Sequence, residues 1–220
     1  MNSKSKGTWD AGECALIFMD YQENVLADVF EQDRRIIQLN AVTLAKAALD
    51  FKIPVILSTV AVKMGVNGPT IAPLKEVLSG IKEIDRTSTN SWDDPDFLTA
   101  VKATGRKRLV MAGIVTSICL AYPVIDALAD GYEVTFIEDA VGDCYKEWHD
   151  TAIRRLSHAG AVPNLTAAMI TEWFRDWKSP LADWGRKEFV PYFEELAELR
   201  KAPEVQGPSG LFVPQHLREN

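Results

Sequence analysis

The sequence predicts a three-layer α/β fold: a central parallel sheet of about six strands, helices on both faces and a C-terminal helical extension. Three observations predict it. Short apolar runs alternate with longer stretches whose apolar residues recur at helical spacing. Runs such as Cys14–Met19 (CALIFM) are continuously apolar rather than alternating, as in strands covered on both faces. The joins between the two kinds of segment are short, as right-handed crossovers require.

In order, a polar leader precedes the strand Cys14–Met19, which ends at Asp20. Val25–Phe51 reads as one helix, with Ile36, Leu39, Val42, Leu44, Ala45, Ala48 and Leu49 on its buried side. Ile53–Thr59 is the second strand, followed by the loop Gly65–Pro69. Ile71–Val77 forms a short helix and Lys82–Ile84 a short strand that runs into Arg86. Thr87–Pro95 is turn-rich around Trp92, and Asp96–Ala103 resumes a helix. Leu109–Ala112 is a strand punctuated by Gly113, and Leu120–Ala129 the next helix, with Val124, Ile125 and Leu128 in register. Glu133–Glu138, His149–Ala159, Gly160–Asn164 and Ala167–Trp177 then alternate strand, helix, strand and helix. Val190–Leu199 forms one more helix before the Pro/Gly-rich tail Lys201–Gly210. Residues 1–177 read as one domain. Residues 178–220 make an extension whose aromatics, beginning with nearby Trp173 and Trp177 and including Trp184, favour a subunit contact.

A net charge of −7 argues against a nucleic-acid partner and against anionic membrane surfaces. No apolar run reaches the roughly 20 residues that span a bilayer, and the first residues lack a signal-peptide core. Three cysteines, Cys14, Cys119 and Cys144, are too few and too scattered for a disulfide framework and suit a reducing compartment. A cytoplasmic protein is expected.

Cys119 falls in the turn between a buried strand and a helix. The first amides of that helix are expected to lower its thiol pKa, into roughly 3.5–7.5 in favourable cases. In open parallel sheets ligands bind at the carboxyl ends of strands, where the strand order reverses. Asp20 and Gln22 follow the first strand, Arg86 the third, Cys119 the fourth and Asp139 the fifth. Singly, Asp20 reads as a turn residue, Arg86 as a surface charge and Cys119 as core packing. Jointly, an acid, a cation and a thiol at one edge compose a nucleophilic site. Three histidines without ligand spacing give no metal site. No GxGxxG, GxxxxGK[ST] or GxSxG occurs. Cys14 reads as inert core, whereas Cys144 lies in a loop with no activating neighbour.

Ala15–Gln22 (ALIFMDYQ), the Asp85–Trp92 stretch with its basic residue, Ala112–Leu120 (AGIVTSICL) with its following helix, and Tyr132–Ala140 (YEVTFIEDA) resemble the isochorismatase-like cysteine hydrolases. Asn90-Ser91-Trp92 and Arg175-Asp176-Trp177 place the resemblance nearest the YcaC-type group. It covers roughly Glu13 to Trp177. The resemblance implies a Rossmann-like core and a triad of Asp20, Arg86 and Cys119. It also implies a non-proline cis peptide between Ile114 and Val115, with the N–H groups of Val115 and Cys119 as an oxyanion hole. Gln22, Asn90, Trp92 and Thr116 would line a substrate pocket. Most of the family has lysine where Arg86 stands. Arginine stays protonated, so its role should be electrostatic. The loop Val60–Pro69 holds no histidine, unlike the metal site of the nicotinamidase branch, and true isochorismatases lack the cysteine.

The resemblance therefore implies a hydrolase without metal or cofactor, acting on a small amide-like C–N substrate and assembled as a homo-oligomer, an octamer in the YcaC-type group. The alternatives are a catalytically idle metabolite-binding or assembly protein on the same fold, and a redox-sensing thiol that lacks a resolving cysteine nearby.

Overall fold

The structure, a computed structural model, describes residues 7–204. Its strands are Cys14–Met19 (β1), Val55–Val60 (β2), Glu83–Arg86 (β3), Arg108–Gly113 (β4), Glu133–Ile137 (β5) and Val162–Asn164 (β6). They form one six-stranded sheet in the order β3-β2-β1-β4-β5-β6, parallel throughout. Its helices are Glu23–Leu26 (α1), Arg34–Asp50 (α2), Ala72–Val77 (α3), Pro95–Ala103 (α4), Ala121–Ala129 (α5), Lys146–Ala159 (α6), Thr166–Phe174 (α7) and Ala182–Lys201 (α8). On one face α2 packs against α3, α7 and α8, while on the other α5 packs against α6. This is the expected Rossmann-like arrangement. Every residue of β1 and β4 is buried, which is why both read as unbroken apolar runs.

Four details depart from the sequence expectation. The helix expected over Val25–Phe51 is interrupted after Leu26, and Asp33 restarts it by accepting the Arg35 N–H at 3.0 Å. The interruption turns Val29 and Phe30 inward and frees Gln32 to accept the Asp143 N–H at 2.9 Å. The third strand runs to Arg86 itself, so that side chain leaves from the sheet rather than from a loop. The last helix begins at Ala182 and runs through Pro191.

The fourth concerns the C-terminal aromatics. Trp173 and Trp184 are buried edge-on against Phe51 of their own core. Tyr192 donates to the Asn40 Oδ1 at 2.8 Å, and Asn40 in turn donates to the Asp139 carbonyl. The inner side of α8 thus belongs to the core. The apolar surface left free there includes Trp177, Val190 and Phe193, each about half exposed or more. Beyond Lys201 the chain is pinned where Arg35 reaches the Ala202 carbonyl and Glu204. The rest of the tail lies outside the described residues.

Candidate active site

The strand order reverses between β1 and β4, and there Asp20 and Arg86 of the expected triad meet, with Cys119 on the turn that follows β4. Met19 pairs with Gly113, so the residues that follow them enter the same crevice. Asp20, the first residue past β1, has φ +62°, a left-handed conformation that aspartate tolerates better than most side chains. Arg86 ends β3, two strand spacings or about 10 Å away, a gap that its long side chain crosses. Its Nη2 donates to Asp20 Oδ2 at 2.6 Å, with both side chains wholly buried. Cys119 sits in a π-turn, Thr116–Leu120, between β4 and α5. As a residue it is partly exposed, unlike Asp20 and Arg86, while its thiol lies deep enough for burial to dominate its titration.

The electrostatics reverse one expectation. The Cys119 thiol is pushed well above its ordinary value, first by burial and then by the charge and hydrogen bond of Asp20; Arg86 and the Val115 N–H pull the other way. Burial also raises the Asp20 carboxyl, against the pull of Arg86 and of the thiol. The amides of a helix terminus favour a thiolate, but here burial and the charge of Asp20 outweigh them. Asp20 Oδ1 and the Arg86 Nε and Nη1 remain buried without hydrogen-bond partners. The other two thiols are sealed: burial pushes Cys14 and Cys144 up to about 12. Cys144, expected in the loop after β5, is only 2% exposed; its neighbour Asp143 ties that loop to Ser117 and Gln32.

The peptide between Ile114 and Val115 is cis, as expected. The turn after it is held by the segment that follows β5. Gly142 accepts the Thr116 N–H at 2.8 Å, and the Asp143 carboxylate accepts the Ser117 N–H at 2.7 Å. A Cβ at Gly142 would lie 2.7 Å from the Ile37 Cδ1 and 2.9 Å from the Val29 Cγ1, so this close approach requires glycine. Thr116 Oγ1 lies 3.0 Å from the Nδ1 of His149 on α6.

The family model described as "Isochorismatase domain" matches residues 14–168. The chain belongs to the isochorismatase family. It is 34% identical to the probable hydrolase YcaC of Escherichia coli K12 over 173 residues, 78% of this chain and 83% of that protein. YcaC from Pseudomonas aeruginosa, solved with hexane-2,5-diol and covalent acrylamide, superposes with a TM-score of 0.79 at 32% identity. That superposition covers 90% of this chain and all of the other. The E. coli YcaC gene product, described as an octameric hydrolase of unknown specificity, gives a TM-score of 0.79 at 30% identity, covering 90% and 99%. By family this chain is an isochorismatase-type hydrolase of unknown specificity.

Within that family site, the four side chains expected to line the pocket have protein partners. Gln22 accepts the Val60 N–H at 2.9 Å and donates to the carbonyls of Val60 and Gly68, stapling the loop after β2. Asn90 accepts the Trp92 N–H at 3.0 Å and donates to Asp126 at 2.7 Å. The Trp92 indole donates to Asp130 at 2.9 Å and packs edge-on against Tyr132. Thr116 is taken up by His149. Asp139, at the end of β5, accepts the Thr166 N–H and hydroxyl at the start of α7 and plays no part in the crevice. Among the described residues no group of three or more His, Cys, Asp or Glu side chains is placed to hold a metal ion, and no helix is long and apolar enough to cross a membrane. A largely aliphatic groove of about 450 Å³ lies at the amino end of β2, between β3 and α4, remote from the triad.

Nothing in the sequence marks the Thr116–His149 contact, because a histidine far along the chain has no local signature. His149 is 7% exposed, and burial lowers its pKa below the ordinary histidine value. The unfolded chain then binds more protons than the folded one just below about pH 6.5, so this contribution is complete above that pH and is lost as pH falls. Between about pH 7.5 and about pH 5.5 the urea midpoint should fall further in the wild type than in His149→Asn, which does not titrate. Equal falls would contradict the assignment.

Proposed function

We propose that this chain is a metal-free cysteine hydrolase that cleaves a small amide-like C–N substrate through a covalent Cys119 intermediate. The observation that carries the reading is the buried Arg86–Asp20 pair set against the one partly exposed cysteine, at the point where the strand order reverses. Asp20 takes the Cys119 proton as sulfur attacks the carbonyl carbon. The oxyanion formed is held by the N–H groups of Val115 and Cys119, each such donor being worth about 2.7–4 kcal/mol to a transition state. Asp20 returns the proton to the leaving nitrogen as the C–N bond breaks, leaving a thioester. A water then gives its proton to Asp20 and attacks the thioester. The acid departs, and the proton goes back to sulfur. The sum is amide plus water to acid plus amine. Arg86 keeps its proton throughout and holds Asp20 in place. Gln22, Asn90, Trp92 and Thr116 shape the crevice through the contacts described above.

The covalent acrylamide of the Pseudomonas relative makes the same compound a direct probe here. Wild-type protein should gain one acrylamide on Cys119 by intact mass and peptide mapping, with Cys14 and Cys144 unmodified, and should turn over a member of a small-amide and ester panel. A second reading, an idle metabolite binder, is favoured by the complete burial of Asp20 and Arg86. Binding of panel members without adduct or turnover would select it.

The octameric state reported for the E. coli relative extends to this chain by the same reasoning. The exposed Trp177, Val190 and Phe193 supply an apolar contact surface. Light scattering that returns a monomer at micromolar concentration would overturn the assembly. A cytoplasmic setting completes the reading, since a protonated, unpaired Cys119 needs a reducing medium to stay free.

A further inference from the structure

The buried face of α6 carries His149, Ala152 and Leu156, one polar side chain in an otherwise apolar row. Burying an imidazole costs free energy unless it is hydrogen-bonded, and an aliphatic residue would fill this place without that cost. The bond it makes goes to Thr116, which is itself wholly buried and opens the π-turn that carries Cys119. The turn's first two N–H groups are already held by Gly142 and Asp143, which anchor its backbone to the segment leading into α6. The His149 contact adds the side-chain half of that clamp. It fixes the Thr116 rotamer, and with it the rotation of the turn that sets Cys119 against Asp20.

We propose that His149 is a positioning residue for Cys119, acting through the Thr116 hydroxyl on the turn that bears the thiol. The proposal rests on the reading of Cys119 as the nucleophile. His149 touches neither the sulfur's proton acceptor nor the substrate, so its effect is on geometry, read as the rate at which the sulfur reacts.

The test is iodoacetamide labelling of Cys119 in the full chain, with folding checked by circular dichroism and urea midpoint. His149→Leu and Thr116→Val should each slow labelling about tenfold, the scale of one buried hydrogen bond lost. The double variant should be no slower than the slower single, because both remove the same contact. His149→Asn, which keeps a polar atom where Nδ1 sits, should stay within about threefold of wild type. Wild-type rates in both single variants, or single losses that multiply in the double, would overturn the proposal. Should His149→Leu fail to fold, Thr116→Val and His149→Asn decide: slowing in the first with retention in the second supports it, and any other pairing refutes it. A wild-type Cys119 that labels no faster than Cys14 defeats the nucleophile reading itself, and this inference with it.

Discussion

Cys119→Ala should lose all acrylamide and iodoacetamide labelling at the catalytic edge and reduce turnover of any panel substrate by at least about a thousandfold, since no other group can form the covalent intermediate. The sealed thiols cannot substitute: Cys14 is wholly buried and bonded to the Asp10 carbonyl, and Cys144 is buried beside Asp143. The substitution removes a single buried sulfur atom, so the urea midpoint should move far less than activity does. Cys119→Ser keeps the shape but offers an oxygen that Asp20 deprotonates much less readily, and should be nearly as inactive. Retention of adduct or turnover in Cys119→Ala would refute the assignment outright.

The second large effect is structural. Arg86→Met should destabilise the fold by about 3–5 kcal/mol, because it leaves the wholly buried Asp20 carboxyl without its charged partner. For a chain of this size that corresponds to about 6–20 °C in Tm. Asp20 relieves part of the loss by taking up a proton, since burial already biases it that way. A protonated Asp20 cannot accept the thiol proton, so labelling at Cys119 should collapse in the same variant. Adding Asp20→Asn should recover stability without recovering reactivity, because asparagine is uncharged and tolerates the left-handed backbone at φ +62°. An unchanged midpoint and a wild-type labelling rate in Arg86→Met would show that the buried pair neither holds the fold nor serves the thiol.

How far the site was legible varied by residue. The strands β1, β4 and β5 read correctly because parallel strands buried on both faces leave an apolar run that needs no partner to be recognised. Their ends therefore placed Asp20 and Cys119 on one edge. Arg86 was read as lying past its strand because β3 is short and only partly buried, which leaves little pattern. The break between α1 and α2 was missed because Val29 and Phe30, buried in a loop, keep the apolar spacing of a helix. Gln22 and Trp92 were expected to line the pocket; their protein partners Val60, Gly68 and Asp130 lie 38 to 46 residues away along the chain, too far to be read from sequence.

By itself the sequence determined the α/β alternation, the family, and which side chains stand at the carboxyl ends of the strands, because these depend on local periodicity and on short ordered motifs. Only the tertiary structure decided that an arginine two strands away closes on Asp20, that burial and Asp20 raise the thiol pKa rather than lower it, and that His149 meets the Thr116 hydroxyl. The reason is physical: hydrogen bonds and charge interactions act over a few ångströms in space, and the partners that set them here lie 33 to 99 residues apart along the chain.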